Sequence, residues 1–369
     1  MTKILFLPLL NSMPSGHHQV AEAIMEYISA HGAHMECKKI DILSEWNPVL
    51  EKAIVNVYKS WIHHAPALYG SFYRLLAKGS TSSRTHKLYE LLLIRKMEEV
   101  LAKEEPDLIV CTHALPSYLI NQIKEKGKCS TPCLNAYTDF FINNVWGISN
   151  IEYHFVSSYQ LKEQLILEHK IAENRIFITG IPVSTYIKED RESKSKQTER
   201  NLLFFAGSLK PKEIAGELKA TDKEENWQIQ ILNGPTSEAF KKLSRQKFSD
   251  IQLLPDIASK NRMNELYSHA TAFVTKPGGT LISEAIKKEL PIFVHMTLPG
   301  QEEINLRYLI EQKLVYKIPE NNNLVDYVVS KIYNPIEMEI YKQNVRNYTK
   351  TIELKNSRAV YRALEQFLK

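Results

Sequence analysis

The feature that most constrains the fold of this chain is a repeated alternation of short apolar runs with amphipathic segments. Lys3–Leu10 is the first such run, and the segment Gln19–Ala30 that follows it carries apolar residues at helical spacing. A second series with the same alternation starts at residue 201. Strands that alternate with helices pair in parallel, because each helix returns the chain to the same edge of the sheet. The sequence therefore predicts an α/β fold with two doubly wound sheets.

A charged run without apolar residues separates the two series. It covers residues 188–200 and is predicted to be an interdomain linker. We expect an N-terminal domain at residues 1–187 and a C-terminal domain at residues 201–345, with a C-terminal helix at about residues 346–369 packing back on the first domain. Open α/β sheets bind ligands beyond the carboxyl ends of their strands, so two such domains are expected to face a central cleft that holds the site.

Composition excludes several classes of protein. The chain has 369 residues, of which 44% are hydrophobic and 24% charged, as in an ordinary globular protein. No apolar stretch approaches the roughly 20 residues needed to span a bilayer, and the first apolar run is too short for a signal peptide. The net charge of +5 is too small to argue for nucleic acid. We expect reduced thiols in a cytoplasmic protein, rather than disulfides or a zinc site, at Cys37, Cys111, Cys129 and Cys133.

One strand-to-helix turn has the composition of an anion site. The apolar run Ala272–Val274 is followed by Pro277 and Gly278–Gly279, and then by a segment with helical spacing of apolar residues. Backbone N–H groups and the positive end of a helix attract an anion there, and a Cβ would hold a phosphate away. Glu284, one turn into the helix, is suited to accept hydrogen bonds from ribose hydroxyls. An ordinary structural turn accounts for the same spacing, so the spacing alone does not establish an anion site.

Residues 46–104 form an insert between the second and third predicted strands. Aromatic and basic residues are interleaved there, and acidic residues are scarce between Lys52 and Tyr89. A basic amphipathic helix with aromatic residues is typical of a segment that lies on an anionic membrane. A helical layer with aromatic core residues and solvated lysines is the alternative. The basic residues of the insert include Lys52, Lys59, Arg74, Lys78, Arg84, Lys87, Arg95 and Lys96.

Several segments together resemble one enzyme family. They are Ser15-Gly16-His17, Tyr137-Thr138-Asp139-Phe140, Thr179-Gly180-Ile181-Pro182, Thr275-Lys276-Pro277-Gly278-Gly279 with Glu284, and Pro299-Gly300-Gln301-Glu302 with Asn305. The set is similar to the GT-B glycosyltransferases of the monogalactosyldiacylglycerol synthase and processive diacylglycerol glucosyltransferase group, relatives of the peptidoglycan N-acetylglucosaminyltransferase. The resemblance covers almost the whole chain. It implies the GT-B fold, in which two Rossmann-like domains face a central cleft.

The resemblance also implies a reaction and an acceptor side. His17 matches the catalytic histidine of the family, and an imidazole that is partly neutral near pH 7 suits deprotonation of an acceptor hydroxyl. Asp139 is implied as a second catalytic residue, and Asn143 and Trp146 as acceptor-side residues. The implied reaction is inverting transfer of a hexose from a UDP-sugar to a lipid such as diacylglycerol, at the cytoplasmic membrane face. The UDP-sugar is a substrate, and no metal or other cofactor is implied.

A larger set of residues is implied for the donor. Its members match the diphosphate cradle, the ribose-binding glutamate, the loop that reads the sugar hydroxyls and the backbone beside the uracil. They are Gly16, Gly207, Ser208, Ser259, Lys260, Lys276, Gly278, Gly279, Thr280, Glu284, Gly300, Gln301, Glu302 and Asn305.

One departure from the family pattern bears on the acceptor. Asn143 stands where the family usually carries a histidine, and an amide can form hydrogen bonds but cannot take a proton. Two alternatives to the lipid glycosyltransferase therefore stay open. The first is a UDP-sugar glycosyltransferase with another acceptor, such as a lipid-linked intermediate or a secondary metabolite. The second is a catalytically silent sensor that binds a UDP-sugar.

Overall fold

The chain divides into two compact units. The first contains Met1–Thr185, Leu298–Ile304 and Lys350–Lys369, and the second contains Tyr186–Thr297 and Asn305–Thr349. The predicted domain boundaries stay a prediction, and most of the predicted linker lies outside the described residues. The computed structural model describes residues 2–12, 15–32, 34–64, 84–189, 200–206, 227–232, 251–254, 259–320 and 322–369.

Each unit is built on a parallel sheet of six strands. The strands of the first unit are β1 (Thr2–Leu7), β2 (Met35–Lys39), β3 (Leu108–Cys111), β4 (Cys133–Ala136), β5 (Tyr153–Val156) and β6 (Ile176–Ile178). Those of the second are β7 (Asn201–Phe205), β8 (Gln228–Leu232), β9 (Ile251–Leu254), β10 (Ala272–Thr275), β11 (Ile292–Val294) and β12 (Tyr316–Lys317). The orders are β2-β1-β3-β4-β5-β6 and β12-β11-β10-β7-β8-β9. All four residues of β3, and all four of β10, are buried, as expected for central strands covered on both faces.

Helices connect most of the strands. In chain order the described helices are α1 (Gly16–His31), α2 (Ile42–Trp46), α3 (Pro48–His64), α4 (Arg84–Glu104), α5 (Ala114–Glu125), α6 (Tyr159–His169), α7 (Lys260–His269), α8 (Gly279–Lys287), α9 (Gln301–Glu311), α10 (Leu324–Ile332), α11 (Pro335–Thr351) and α12 (Ser357–Phe367). None of the helices in the described part of the chain has both the length and the apolarity needed to cross a membrane.

The strand orders create one switch point in each sheet. In the first unit the chain passes from β1 to β2 on one side and later places β3 on the other side of β1. In the second unit β7 lies between β8 and β10 in the same way. Ligands of open parallel sheets bind beyond the carboxyl ends of the strands at such points. The topology therefore predicts ligand sites at the loops after β1 and β3, and at those after β7 and β10.

Three predicted elements differ from the observed ones. The first helix starts at Gly16 rather than Gln19, because Ser15 is extended and serves as its N-cap position. The second strand was predicted over Met35–Ile42 but ends at Lys39. The Asp41 carboxyl accepts a hydrogen bond from Leu43 N and starts α2 there. The single helix predicted over about residues 346–369 is wrong, since α11 ends at Thr351 and a new helix, α12, follows.

The last helix packs within the first unit. The Phe367 ring stacks on Tyr153 with centroids 3.7 Å apart. Upstream of α12, the Glu353 carboxyl accepts hydrogen bonds from Ile178 N at 3.0 Å and from Lys162 Nζ at 2.7 Å. The C-terminal segment therefore packs beside the carboxyl end of β6, where polar and aromatic contacts hold it.

Candidate active site

Three loops of the first unit meet at the switch point between β1 and β3. The loop after β1 leads into α1, whose second residue is His17. Thr112 and His113 follow β3 directly, and Thr138 comes two residues after β4. Because parallel strands end at one edge of the sheet, these residues lie together although they are far apart in the sequence.

The orientation of the His17 ring is set by its Nδ1 atom. That atom lies 3.0 Å from the Thr112 carbonyl oxygen and 2.9 Å from Thr138 Oγ1. A carbonyl oxygen only accepts, so Nδ1 carries the proton and donates it, and the Thr138 hydroxyl oxygen accepts a share of the same proton. In the neutral ring Nε2 then has the lone pair. His17 is thus held as the tautomer in which Nε2 can act as a base.

Two opposing effects set the charge of His17. Burial lowers the pKa of the imidazole below its ordinary value, and the Asp139 carboxylate raises it. The net shift is downward, so the ring is neutral at pH 7. Once the ring takes a proton, the same carboxylate stabilises the imidazolium. This combination is the one required of a general base.

His113 is a site residue that the sequence patterns did not single out. Its ring lies 4.5 Å from the His17 ring between centroids, at an interplanar angle of 81°. Its Nδ1 accepts a hydrogen bond from Leu115 N and caps α5, which leaves the proton of the neutral ring on Nε2. Burial lowers the pKa of His113 well below its ordinary value. Its position directly after a buried strand was the signal available in the sequence.

Asp139 is joined to residues 298–304, a loop that runs into the first turn of α9 and belongs to the same unit. Its Oδ2 accepts a hydrogen bond from Gln301 Nε2 at 2.8 Å. The next residue, Glu302, accepts a hydrogen bond from Leu298 N at 2.8 Å, so its carboxyl group holds the backbone just before α9. Gly300 has a φ of 100°, a conformation that favours glycine. The structure therefore places the predicted catalytic carboxylate against the predicted sugar-reading loop.

The two predicted acceptor-side residues have local structural contacts. Asn143 Oδ1 accepts a hydrogen bond from Val145 N at 3.0 Å and stabilises a turn. Trp146 is only 9% exposed, and its ring packs against Tyr137 with centroids 4.6 Å apart. Trp146 is thus part of the core of the first unit. An acceptor-binding role for either residue stays a prediction.

The second unit contains the predicted anion turn. Helix α8 begins at Gly279, immediately after the N-cap residue Gly278, and Thr280 is its second residue. The first backbone N–H groups of a helix have no partner within the helix. Gly278 has a φ of −83°, which any residue adopts, and a Cβ built there meets no atom within 4 Å. Neither backbone strain nor packing against described residues accounts for a glycine at this position, so the open space is available to a ligand.

Glu284 lies one turn further along α8 in a partly exposed position. Its Oε2 accepts a hydrogen bond from Tyr267 of α7 at 3.0 Å. Burial raises the pKa of Glu284 to about 7, against the opposing effects of Tyr267 and of the charge on Lys260. Near pH 7 the carboxyl group is therefore only partly ionised, and its oxygens accept hydrogen bonds in either form. Tyr267 was not predicted, and only the packing of α7 beside α8 reveals it.

The remaining predicted donor residues have different settings. Ser259 is the N-cap of α7, whose first residue is Lys260, and its Oγ accepts from Arg262 N. Gly16 is the first residue of α1, and Asn305 is only 1% exposed. Lys276 follows β10, and its carbonyl accepts a hydrogen bond from Gly278 N at 2.8 Å. Gly207 and Ser208 lie outside the described residues. Within the described ranges, no cluster of three or more His, Cys, Asp or Glu could hold a metal ion.

Curated relatives resemble the chain over most of its length. A family model described as monogalactosyldiacylglycerol (MGDG) synthase matches residues 17–183. The chain is 36% identical over 352 residues to a protein of Bacillus subtilis (strain 168) called "Uncharacterized glycosyltransferase YkoN", covering 94% of this chain and 93% of the relative. It is 24% identical over 359 residues to a processive diacylglycerol beta-glucosyltransferase of Bacillus pumilus (strain SAFR-032), covering 93% and 89% of the two chains.

Solved structures share the architecture at low sequence identity. The calicheamicin glycosyltransferase CalG4 has a TM-score of 0.63 at 12% identity, over 100% of this chain and 98% of its own. MnaA of S. aureus, solved with UDP, has a TM-score of 0.61 at 13% identity, over 99% and 95%. These likenesses confirm the predicted GT-B fold, with its two parallel sheets. The family model and the curated relatives, one of them 36% identical, show that the chain belongs to the GT-B glycosyltransferases of the monogalactosyldiacylglycerol synthase and processive diacylglycerol glucosyltransferase family.

Proposed function

We propose that this glycosyltransferase moves a hexose from a UDP-sugar to a lipid hydroxyl, such as that of diacylglycerol, with inversion at the anomeric carbon. The observation that carries the proposal is the state of His17. Its Nδ1–H donates to the Thr112 carbonyl, its pKa is lowered by burial, and a carboxylate stabilises its protonated form. A neutral, oriented imidazole is the group that activation of a hydroxyl nucleophile requires.

The proposed step is a proton transfer coupled to a displacement. The acceptor hydroxyl gives its proton to His17 Nε2 as its oxygen bonds to the anomeric carbon. The bond from that carbon to the diphosphate breaks, and UDP leaves with the electron pair. Because the nucleophile enters on the face opposite to the leaving group, the configuration inverts. Asp139 stabilises the imidazolium formed in this step.

The donor side is proposed on the second unit, supplemented by the loop 298–304. The N-terminus of α8, at Gly278–Gly279 and Thr280, would bind the diphosphate through backbone N–H groups, and Glu284 would bind the ribose. The backbone beside Ser259 and Lys260 is proposed for the uracil, and Lys276, Gly207 and Ser208 for the phosphates. Gly300, Gln301 and Glu302 would contact the sugar hydroxyls. A helix end and basic side chains offset the charge of the leaving diphosphate, so we propose no metal cofactor.

The acceptor is proposed to come from an anionic membrane surface. In the described part of residues 46–104, α3 exposes Val49 to 77% and Val57 to 54%, and α4 exposes Leu91 to 58%. The exposed Lys52 and Arg95 accompany these apolar side chains. Apolar and basic residues exposed together are typical of helices that lie on anionic lipid. We therefore propose a peripheral location on the inner face of the cell membrane. The relatives called processive diacylglycerol beta-glucosyltransferase support the choice of acceptor.

The test is transfer from a panel of radiolabelled UDP-sugars to a total lipid extract, with the products resolved by chromatography. We expect one UDP-hexose to label a glycolipid. His17→Ala should lower the rate about 10²–10⁴-fold while keeping the affinity for UDP, because the base is separate from the donor residues. Labelling of a non-lipid acceptor alone would identify a glycosyltransferase with another acceptor. UDP binding without any transfer would identify a sensor, and full activity of His17→Ala would disprove the assignment of the base.

A further inference from the structure

Two buried carboxyl groups hold the loop between β1 and α1. Glu51 is 2% exposed and Asp41 is 1% exposed. Acidic residues are rarely buried to this extent, because removing a carboxylate from water is costly unless hydrogen bonds compensate for the lost hydration. Their contacts therefore indicate what these two side chains stabilise.

Both groups accept hydrogen bonds from consecutive residues of that loop. Ser12 N donates to Glu51 Oε1 at 3.0 Å, and the Ser12 hydroxyl donates to the same carboxyl group. Asn11 N donates to Asp41 Oδ2 at 2.9 Å. The backbone of the loop is thus held from the side of α2 and α3, a few residues before His17. The proposed mechanism assigns no task to either carboxyl group.

The sequence of α3 places Glu51 on its inner face. Asn47 Oδ1 accepts from Val49 N at 3.0 Å and from Leu50 N at 3.1 Å, which caps the helix, and Pro48 occupies its first position. Glu51 and Val55, four residues apart and therefore on the same face, are both 2% exposed. The outer face of the same helix carries the exposed residues Val49, Ile54 and Val57.

His17 is held in two ways. Thr112 and Thr138 fix the orientation of its ring, as described above. Its backbone lies in the first turn of α1, five residues after Ser12, and Asn11 and Ser12 are held by the two carboxyl groups. A displacement of about 1 Å in a catalytic group is enough to cost a factor of about 10² in rate.

We infer that Glu51 is a positioning residue for His17, and that it joins the lipid-facing helix α3 to the loop that precedes the helix of the base. This inference rests on the proposed function. Helix α3 contributes to acceptor binding on its outer face and to the placement of the base on its inner face.

The kinetic test compares Glu51→Ala, Glu51→Gln and Ser12→Ala with Glu45→Gln, a matched control at an exposed carboxyl group of α2. Transfer is measured with the UDP-sugar and lipid identified in the panel. We expect Glu51→Ala to lower kcat by about 10²-fold with the KM for the donor and the Kd for UDP unchanged. Glu51→Gln keeps an acceptor oxygen for Ser12 N and should recover part of the rate. Ser12→Ala should show a smaller loss, and Glu45→Gln none.

A second measurement needs no substrate. The His17 imidazole signal in NMR spectra, and the hydrogen exchange of the Ser12 amide, should change in Ser12→Ala and Glu51→Gln but not in Glu45→Gln. If Glu51→Ala does not fold, Ser12→Ala and Glu51→Gln test the positioning role of Glu51. Full kcat in both, or a His17 signal identical to that of the unmodified protein, would overturn the inference. Because His17→Ala tests the proposed function separately, an inactive His17→Ala beside fully active Glu51 variants would refute only the positioning role.

Discussion

At the scale of single residues, the tautomer of His17 decides what the first unit can do. The Thr112 carbonyl cannot donate a hydrogen bond, so it holds the proton of the neutral ring on Nδ1 and leaves the lone pair on Nε2. Burial lowers the pKa of this imidazole, and Asp139 raises it. The second imidazole, of His113, lies edge-on to the first and has a pKa that burial lowers well below its ordinary value, so it adds no positive charge at pH 7.

The pH dependence of transfer follows from these shifts. His17 must be neutral to act as a base, and its pKa is lowered, so the acid limb of kcat/KM should lie below the ordinary pKa of a histidine. Asp139→Asn removes the group that raises this pKa. The acid limb of its profile should therefore move to lower pH, while the plateau falls at least about tenfold because the imidazolium is no longer stabilised. The measurement is the pH profile of kcat/KM for both proteins.

Glu163→Gln provides the control for this comparison, since Glu163 is an exposed carboxyl group on α6. Its pH profile should match that of the unmodified protein. An acid limb that stays in place in Asp139→Asn would show that the carboxylate does not act on His17 and would contradict the assignment.

At the scale of elements, the start of α8 differs from most other helix starts in the described chain. Several helices are capped by side-chain oxygens that accept hydrogen bonds from backbone N–H groups, at Ser158, Ser259, Asn323 and Asn356. Gly278 has no side chain to do so, and the space beside its Cα is open. The uncapped N–H groups and the positive end of the helix dipole are therefore available to an anionic ligand.

Gly278→Ala tests whether this space belongs to the donor. The backbone φ of −83° suits alanine and the new Cβ meets no described atom within 4 Å, so the cost in stability should be at most about 1 kcal/mol. The affinity for UDP should fall at least about tenfold, because the methyl group occupies the space of the diphosphate. Calorimetry with UDP and a thermal melt measure the two quantities. Unchanged UDP affinity would place the diphosphate elsewhere.

At the scale of the whole molecule, the two ends of the chain belong to one unit. The segment Lys350–Lys369 lies with Met1–Thr185. The Phe367 ring stacks on Tyr153 and lies 5.3 Å from the ring of Phe177. Close approach of α12 to α1 also requires Gly32, because a Cβ there would lie 2.4 Å from Tyr361 Cε2. The first unit is thus completed by a helix near the C-terminal end of the chain.

Phe367→Ala should destabilise the first unit by about 3–5 kcal/mol, since the ring is 5% exposed and leaves a cavity among aromatic neighbours. Leu167→Ala, at a residue of α6 that is 66% exposed, is the control and should change stability by less than about 0.5 kcal/mol. Denaturant titration followed by near-ultraviolet circular dichroism measures both. Equal midpoints for the two variants would mean that α12 contributes little to the first unit.

The sequence by itself determined the fold class and the family. The apolar run Ala272–Val274 and the turn at Gly278–Gly279 predicted a strand that leads into a helix, because such local patterns depend on neighbours along the chain. The motifs around His17 and Gln301 indicated the family, which the family model and the relatives confirm. Helix ends were predicted less well, as at Gly16 and Thr351, since they depend on single capping contacts.

Only the tertiary structure decided which groups surround His17. Thr112 is 95 residues away from it in the sequence, and Gln301 is 162 residues from Asp139. No pattern with the period of a helix or strand relates residues so far apart. Their contacts exist because the sheet order places β3 beside β1 and directs the following loops to one edge. The histidine that we propose as the base was thus readable in the chain, whereas its tautomer, its pKa and its partners follow from the order of the strands.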